Sequence, residues 1–563
     1  MKKAWSLVLA CLVLTLSNPV YAKKWPVYAK HGMVVSTEQL ASEVGVEILK
    51  QGGNAVDAAV ATGFALAVIY PAAGNIGGGG FMVIRLADGT ATTIDYREKA
   101  PNAASATMYL DDDGKLVKGS NHNGYRAIGV PGTVAGFTYV LKKYGTMSLK
   151  QVMDPAIKFA ERGFPVSYYL SNDLKALEKA FKKNSAGSKT FFKTDGYYEP
   201  GDILVQSELA ATLKRIAENG RDGFYKGETA KRIDSDMKAH GGLITKQDLA
   251  EYRAVEREPI ESTYRGYQII SMPPPSSGGV TLSIILNILE GYNLQELGFN
   301  SAAYIHTVTE AMRRAFRDRA HYLGDPDFNA HMPIANLISK KHATDLRKTI
   351  QPDHATKSRA EDVNLAYESS QTTHFSVVDG QGNAVSNTFT IEQWYGAKIV
   401  ADGLGFFYNN EMGDFNPWPG HTDSTGLIGT KPNLVAAGKR MLSSMCPTIL
   451  AKDGKLFMVT GSPGGRTIIN TVLQSILNVV DFKMNAYEAV NAPRFHHQWL
   501  PDKIFMEKYG TTMDSVDKLK NMGYRVQWVN SMGRDMMILV NQENGWRSGG
   551  ADARSANRRA VGY

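Results

Sequence analysis

The hydrophobic periodicity of the chain changes abruptly at Thr372. Residues 146–329 carry apolar side chains mostly at helical spacing, and the polar segment 353–368 that follows has few large apolar residues. Directly after it, 372–379 and 384–391 alternate apolar and polar residues on either side of a Gly-Gln-Gly-Asn turn. The sequence therefore predicts an exposed, mobile linker followed by a β-hairpin whose first strand starts at two threonines.

The rest of the chain mixes helix and strand signals. Residues 37–67 predict two helices separated by Gly52-Gly53, the first of them capped by Ser36 or Thr37. Further predicted elements are strands at 81–86, 91–96 and 456–460, a rigid Pro-rich loop at 272–279, a helix at 466–480 and a strand-rich end to about residue 540. This mixture predicts an α/β or α+β fold in which helical layers cover sheet.

The composition of the 563 residues is that of a folded globular protein, with 43% apolar and 21% charged residues. The net charge is +8, but the 63 basic and 55 acidic residues are spread along the chain without a dense Lys/Arg block. That distribution argues against a nucleic-acid-binding protein. Of the two cysteines, Cys11 would leave with an N-terminal signal and Cys446 would remain alone, so no intrachain disulfide is expected.

Residues 1–22 have the pattern of an export signal. Two lysines precede the apolar stretch 4–16, and small residues end at Ala22, where cleavage is expected. A lipoprotein signal with Cys11 as the lipid site is the alternative, although it leaves a very short apolar core. No other segment has the roughly 18 uninterrupted apolar residues of a membrane span, so no transmembrane helix is expected.

Three patterns resemble known sites but lack the context that those sites need. The glycine run 74–80 lies between a helix and a strand, whereas a dinucleotide loop follows a strand and opens a helix, so close backbone packing is expected there. The adjacent His496-His497 would point to opposite faces of a strand, which favours a structural role over a metal site. Segment 461–465 is not the Gly-x-Ser-x-Gly of a serine hydrolase. Neither a metal nor an organic cofactor is predicted.

The junction between Gln371 and Thr372 offers a different chemistry. A threonine hydroxyl is a weak nucleophile, but the free α-amine of an N-terminal threonine can serve as its base, since that amine titrates near pH ~8. Thr372 would gain such an amine if its hydroxyl attacked the Gln371 carbonyl and the resulting ester hydrolysed. A Thr-rich β-strand without a catalytic role is the alternative.

Nine segments of the chain together resemble the γ-glutamyltranspeptidase (glutathione hydrolase) family. They are GNAVDAA at 53–59, NIGGG at 75–79, DYRE at 95–98, VPGTVAG at 130–136, GDPDF at 324–328, TTHFSVVD at 372–379, NNEM at 409–412, SSM at 443–445 and GSPGG at 461–465. Because so many matches occur in one order over nearly the whole mature chain, coincidence is negligible.

The resemblance implies the four-layer αββα sandwich of the N-terminal-nucleophile hydrolases. It further implies autocleavage between Gln371 and Thr372 into a large subunit, 23–371, and a small subunit, 372–563. By match to the motif, Thr372 is the nucleophile and Thr390 orients it.

The resemblance also implies the groups that would contact the substrate. Gly464 and Gly465 align with the backbone donors of the oxyanion hole.

The γ-glutamyl group carries an α-carboxylate and an α-ammonium. Arg97 resembles the family's carboxylate clamp, for which a guanidinium suits the bidentate geometry. The alternative is a surface salt bridge between Arg97 and Glu98. Ser443 and Ser444 match the assisting hydroxyls. Glu411 and Asp414 match the residues that hold the ammonium.

Three positions depart from the commonest family pattern. Glu392 stands where many members have asparagine; a carboxylate still suits the ammonium but alters the local charge. Gly413 replaces an acidic residue. Segment 417–439 is long enough for the family's lid, but Thr425 stands where a gating tyrosine often lies, which bears on the balance between water and amino-acid acceptors.

The function that the resemblance implies is an exported γ-glutamyltransferase and glutathione hydrolase without a cofactor. Its partners would be glutathione, other γ-glutamyl compounds and acceptor amino acids or dipeptides, and the enzyme would be a heterodimer of its own two fragments. The alternatives are an acylase for glutaryl β-lactam side chains, a poly-γ-glutamate depolymerase and, from another class, a non-catalytic periplasmic binding protein.

Overall fold

A computed structural model of the chain describes residues 25–181, 185–359, 372–425 and 429–563. The predicted export signal, most of the predicted linker and Gln371 lie outside the described residues. Within the described part, no helix combines the length and the apolar character needed to cross a bilayer.

The strands are mostly short. They are β1 (Val27–Ala29), β2 (Met33–Ser36), β3 (Gly79–Arg85), β4 (Ala91–Tyr96), β5 (Phe164–Pro165), β6 (Ile203–Leu204), β7 (Val255–Arg257), β8 (Ile260–Tyr264), β9 (Tyr267–Ser271), β10 (Thr373–Val378), β11 (Ala384–Thr390), β12 (Thr448–Lys452), β13 (Lys455–Thr460), β14 (Phe495–His496), β15 (Ile504–Glu507), β16 (Val526–Val529), β17 (Met536–Val540), β18 (Arg547–Ala551) and β19 (Arg559–Gly562).

Most of the helices precede the hairpin. They are α1 (Gln39–Lys50), α2 (Ala55–Ile69), α3 (Thr133–Tyr144), α4 (Leu149–Arg162), α5 (Tyr168–Phe181), α6 (Ser185–Phe191), α7 (Ser207–Asn219), α8 (Asp222–Tyr225), α9 (Gly227–His240), α10 (Lys246–Glu251), α11 (Gly278–Leu289), α12 (Leu294–Leu297), α13 (Ala302–Tyr322), α14 (Ile334–Leu337), α15 (Lys340–Arg347), α16 (Thr467–Val480), α17 (Ala486–Asn491) and α18 (Met513–Asn521).

Two antiparallel sheets of seven strands form the centre of the molecule. Sheet I has the order β19-β2-β10-β11-β3-β4-β7, and sheet II has the order β1-β18-β17-β13-β12-β9-β8. The two sheets face each other across an apolar layer that includes Val35 and Val83 from sheet I and Ile449, Val459 and Ile538 from sheet II. Side chains alternate along a strand, so each sheet has a second face that a helical layer must cover.

Helices cover both outer faces. On sheet I, α2 packs against β10 and β11, and every residue of α2 is buried, as its almost entirely small and apolar sequence predicts. On sheet II, α11 packs against β8 and β9, and α17 packs against β17 and β18. The layers therefore follow the order αββα, and the predicted four-layer sandwich is confirmed.

The predicted hairpin is confirmed, since β10 and β11 pair antiparallel with His374 opposite Thr388. The predicted cap of the first helix is wrong. Ser36 ends strand β2, and the N-cap residue of α1 is Glu38, whose side chain makes no capping hydrogen bond. The hydroxyl of Ser36 instead donates to the carbonyl of Glu38 at 2.7 Å.

Candidate active site

The predicted site residues, with the exception of Gly464, line one small cavity. Its full lining is Arg97, Thr372, Thr390, Glu392, Glu411, Asp414, Ser443, Ser444, Met445, Gly465 and Ile468. The cavity volume is about 20 Å³, which is room for about one water molecule.

The hairpin brings the two predicted catalytic threonines together. Thr372 immediately precedes β10, Thr390 ends β11, and the register pairs Thr373 with Phe389. The Oγ1 atoms of Thr372 and Thr390 are consequently 3.5 Å apart, and Thr372 is 4% exposed. The Oγ1 of Thr390 also accepts the backbone N–H of Glu392 at 2.9 Å.

The glycine run holds Thr390 in place. The side-chain amide of Asn75 donates to the carbonyl of Thr390 at 2.9 Å, while its oxygen accepts the N–H of Gly78 at 2.9 Å and the hydroxyl of Thr133 at 2.8 Å. A Cβ atom at Gly78 would collide with the Thr390 carbonyl. The close backbone packing predicted for these glycines is therefore present, and its role is to support the hairpin end.

Arg97 is fully buried, so the alternative of a surface salt bridge is wrong. Its Nη1 contacts Glu411 Oε1, its Nη2 lies 2.5 Å from Asp414 Oδ2, and Glu98 Oε2 lies 3.6 Å from Nη1. The predicted carboxylate clamp is thus paired with the two residues predicted to hold the ammonium. Substrate binding would have to exchange these partners.

Acidic groups outnumber basic groups around the cavity. Burial raises the pKa of Glu98 to about 7, against the opposing effect of Arg97, and burial raises the pKa of Glu411 well above its usual value. His122 Nδ1 lies 3.2 Å from Glu392 Oε1, and although burial opposes the charge, the nearby Glu392 carboxylate raises the pKa of His122. An environment of this kind favours a cationic group of a ligand.

A 3₁₀ turn at Glu411–Asp414 presents the predicted ammonium-binding residues. The side-chain oxygen of Asn409 accepts the N–H of Glu411 at 3.0 Å, and its amide donates at 2.8 Å to the carbonyls of Gly77 and Gly129. The acidic turn is therefore joined to the same glycine run that supports Thr390.

The two predicted serines are held from behind by the Pro-rich loop and by helix α13. The carbonyl of Ser443 accepts the hydroxyl of Ser277 at 2.6 Å. Arg319, on α13, donates through Nη2 to Ser444 Oγ at 3.0 Å and through Nε to Ser277 Oγ at 2.7 Å. Neither Arg319 nor His122 was predicted, because neither lies in one of the motifs and both reach the site through long-range contacts.

The two predicted oxyanion glycines occupy conformations that favour glycine. Gly464 has φ 135° and Gly465 has φ 55°. The carbonyl of Gly464 accepts the N–H of Thr467 at 3.1 Å in the first turn of α16. Because the C=O and N–H of one peptide plane point in opposite directions, the N–H of Gly465 points away from this turn. Gly465 itself lines the cavity.

Two other predicted positions lie apart from the cavity lining. Thr425, at the predicted lid, is exposed, and its hydroxyl donates to Asp423 at 2.6 Å. His496 is buried with Nδ1 at 2.7 Å from Asn470 Nδ2, and His497 is buried with Nε2 at 3.2 Å from Asp502. The two histidines have structural partners, and the described residues contain no cluster of three His, Cys, Asp or Glu side chains able to hold a metal ion.

The model of the family described as Gamma-glutamyltranspeptidase matches residues 41–562. The chain belongs to the γ-glutamyltranspeptidase family.

Other members share most of their length with it. The chain is 49% identical to a glutathione hydrolase proenzyme of Pseudomonas sp. (strain A14), over 95% of this chain and 93% of that protein. It is also 49% identical to the glutathione hydrolase proenzyme of Escherichia coli (strain K12), over 96% of this chain and 93% of that protein.

Among solved structures, a cephalosporin acylase from Bacillus halodurans superimposes with a TM-score of 0.85 at 28% identity. The superposition covers 97% of this chain and 98% of that chain. The predicted family and the N-terminal-nucleophile hydrolase fold are confirmed by these findings.

Proposed function

We propose that the protein is a γ-glutamyltransferase and glutathione hydrolase in which Thr372 is the nucleophile. The observation that carries the proposal is the position of Thr372. It is buried immediately before β10, 3.5 Å from the hydroxyl of Thr390, in one cavity with a buried arginine and several carboxylates. The names of the relatives support the same activity.

The nucleophile is generated by cleavage of the chain before Thr372. Its Oγ1 attacks the carbonyl carbon of Gln371, the peptide C–N bond breaks, and the acyl group passes from nitrogen to oxygen. Water hydrolyses the ester, which leaves a carboxylate on Gln371 and a free α-amine on Thr372. The products are a large subunit, 23–371, and a small subunit, 372–563, which remain together as a heterodimer.

In the catalytic cycle, Thr372 Oγ1 attacks the γ-carbonyl carbon of the substrate while its own α-amine takes the hydroxyl proton. The N–H groups of Gly464 and Gly465 stabilise the oxyanion, and Thr390 orients the nucleophile. The amide C–N bond breaks, and the proton passes to the leaving amine. Water then releases glutamate, or an acceptor amine takes the glutamyl group from the threonine ester.

Recognition of the γ-glutamyl group uses its two charges. The guanidinium of Arg97 binds the α-carboxylate together with the hydroxyls of Ser443 and Ser444. Glu411 and Asp414 exchange their pairing with Arg97 for the α-ammonium of the substrate. The two charges of a glutamyl group leave the net charge of this acidic cluster unchanged, whereas a glutaryl group would add one negative charge, so a glutamyl group is preferred.

An acylase for glutaryl side chains is the second candidate. The similarity to a cephalosporin acylase favours it, and so does the His122–Glu392 contact, which reduces the negative charge available to an ammonium. A glutaryl group has the carboxylate that Arg97 would bind but no ammonium.

The site of action is proposed to be outside the cytoplasm, because residues 1–22 have the pattern of an export signal. N-terminal sequencing of protein from a cell envelope or culture fraction checks this point. A large subunit starting at Lys23 is expected for a cleaved signal.

Trapping of the covalent intermediate tests the proposed function. The enzyme is mixed with γ-glutamyl-p-nitroanilide, quenched in acid and analysed by intact mass. The fragment that starts at Thr372 is expected to carry one glutamyl group, and glutaryl-p-nitroanilide is expected to label it less. Thr372→Ser should still be labelled, because it retains a hydroxyl and an α-amine. Glutamyl labelling of the uncut Thr372→Ala chain, or no labelling of the wild type during turnover, would contradict the proposal.

A further inference from the structure

Glu392 and Gly413 both lie against one histidine, His122. His122 lies in the loop before the 3₁₀ turn Tyr125–Ala127, and its side chain is 15% exposed. Its Nδ1 lies 3.2 Å from Glu392 Oε1, and Glu392 lines the cavity that contains Thr372. The backbone of His122 is also held in place, because the side-chain amide of Asn410 donates to the His122 carbonyl at 3.0 Å.

Gly413 leaves the space that the ring of His122 occupies. A Cβ atom built on Gly413 would collide with Nδ1 and Cε1 of that ring. Gly413 is not among the glycines with positive φ, so its backbone conformation permits a side chain and only the histidine prevents one. A side chain at position 413 is thus incompatible with His122 where the ring now lies.

Glu392 is itself held in a defined place. It has φ 73°, in the left-handed region that non-glycine residues rarely adopt, and its N–H is bound by Thr390 Oγ1 at 2.9 Å. His122, Gly413 and Glu392 therefore form a matched set, in which the glycine admits the histidine and the histidine meets the carboxylate.

We propose that His122 is a positioning residue whose imidazolium offsets the negative charge of Glu392 at low pH, and whose deprotonation at high pH strengthens the attraction between Glu392 and the substrate ammonium. The preference for γ-glutamyl over glutaryl amides then rises with pH. This inference rests on the proposed function and adds a control of specificity to it.

The sign follows from the groups that face His122. Glu392 and Asp414 favour its protonated form, while Lys398 and burial oppose it, and the balance raises the pKa of His122 above its ordinary value. Below that pKa, the imidazolium and Glu392 form a neutral pair, so an incoming ammonium gains little from Glu392. Above that pKa, Glu392 keeps its negative charge without a cation from His122, so the ammonium binds more tightly. A glutaryl group has no ammonium and gains nothing.

In the ratio of kcat/KM for γ-glutamyl-p-nitroanilide to that for glutaryl-p-nitroanilide, titration of the Thr372 amine acts on both substrates and cancels. Glu98 and Glu411 also have raised pKa values, so the effect of His122 is the difference between the wild type and His122→Gln. Between pH 6 and pH 8.5, the ratio is expected to rise about tenfold more in the wild type than in His122→Gln, mainly through KM, because the pKa of His122 is raised from 6.5. His342→Gln is the matched control, since His342 is also partly buried, with Nε2 2.7 Å from Asp318. It should behave as the wild type does. An equal rise in His122→Gln would overturn the proposal.

A pair of variants tests the steric part of the set. Gly413→Ala should displace His122 and flatten the pH course as His122→Gln does. In a His122→Ala background, the further Gly413→Ala change should have little effect, because the ring that it displaces is absent. If Gly413→Ala lowered kcat/KM for γ-glutamyl-p-nitroanilide equally in both backgrounds, the glycine would not act by making room for His122.

A measurement without turnover separates failure of this inference from failure of the proposed function. The imidazole titration of His122 is followed by NMR in the wild type and in Glu392→Gln, where its pKa should fall by about one unit. An unchanged pKa would show that the pair does not form in solution, whatever the activity. A shifted pKa in a protein that hydrolyses neither anilide would retain the pair and reject the proposed function.

Discussion

The side-chain amide of Asn75 donates to the carbonyl of Thr390 at 2.9 Å, so the loop before strand β3 holds the end of strand β11. Removal of this amide should let Thr390 move relative to Thr372. Asn75→Ala is therefore expected to lower kcat by about tenfold or more with a smaller change in KM, because a displacement of the order of 1 Å in a catalytic group is costly. Steady-state kinetics and the rate of chain cleavage measure the effect.

A general loss of stability has to be distinguished from this local effect. Asn75→Ala should also cost about 1–3 kcal/mol, because it leaves buried groups without partners. Asn287→Ala is the control. Asn287 is buried and its side-chain amide donates to the Ile338 carbonyl at a distance of 2.7 Å, and neither residue lines the cavity. It should lose similar stability and keep kcat. If both variants lose kcat alike, the Asn75 contact has no specific role.

Arg97 joins two carboxylates within the cavity, and lysine cannot reproduce its planar, two-ended contact with Glu411 and Asp414. Arg97→Lys is expected to raise KM for γ-glutamyl-p-nitroanilide by about tenfold or more and to lower the free energy of unfolding by about 1–3 kcal/mol. Kinetics and chemical denaturation measure the two effects.

Arg313→Lys provides the comparison for Arg97→Lys. Arg313 is buried and also joins two carboxylates, with Nε 3.1 Å from Glu310 and Nη1 2.6 Å from Asp502. It does not line the cavity, so its replacement should lower stability with KM nearly unchanged. A KM that stays at the wild-type value in Arg97→Lys would remove Arg97 from substrate binding.

The contribution of Glu98 to the stability of the protein should fall as the pH rises from about 4.5 to about 7, because Glu98 titrates in that window. Burial raises its pKa from 4.5 to about 7, against the opposing effect of Arg97. The folded chain therefore holds a proton that the unfolded chain has lost, and the stability present below pH 4.5 is lost as the pH passes 7. Glu98→Gln should remove about 1–3 kcal/mol of this pH dependence, measured by melting at pH 5 and pH 7.

Glu256 supplies the opposite case. Hydrogen bonds from Lys143, Tyr144 and Tyr139 outweigh burial and lower its pKa from 4.5 to about 2. Its stabilisation is present above pH 4.5 and is lost only as the pH falls toward 2, so Glu256→Gln should lower stability equally at pH 5 and pH 7. If Glu98→Gln also lowered the stability equally at pH 5 and pH 7, Glu98 would be ionised in the folded protein throughout that pH range.

The sequence predicts those parts of the fold and the site that depend on local pattern. Strand alternation on both sides of a glycine-containing turn marked β10 and β11, and a run of small apolar residues marked α2. Strands β8 and β9 were missed, because they are short segments within a region of helical periodicity. The sheet that contains them includes β12, which lies far along the chain and pairs with β9, where Ser271 is opposite Thr448.

The same distinction applies to the candidate site. The predicted residues lie in motifs, whereas His122 and Arg319 lie in none and act through contacts with Glu392 and Ser444. No periodicity or spacing reports such a contact. The pairing of Arg97 with Asp414 was also not predicted, because matching a motif assigns each residue to a part of the substrate and not to a partner within the protein.

The identity of the N-terminus of the small fragment tests the central claim most directly. Wild-type protein and Thr372→Ala are purified, incubated, separated on a denaturing gel and sequenced from the N-terminus. The wild type is expected to split into fragments of about two-thirds and one-third of the chain, the smaller one starting Thr-Thr-His, while Thr372→Ala stays whole. A wild-type chain that stays whole while hydrolysing γ-glutamyl amides, or a Thr372→Ala chain cut at the same bond, would contradict the account.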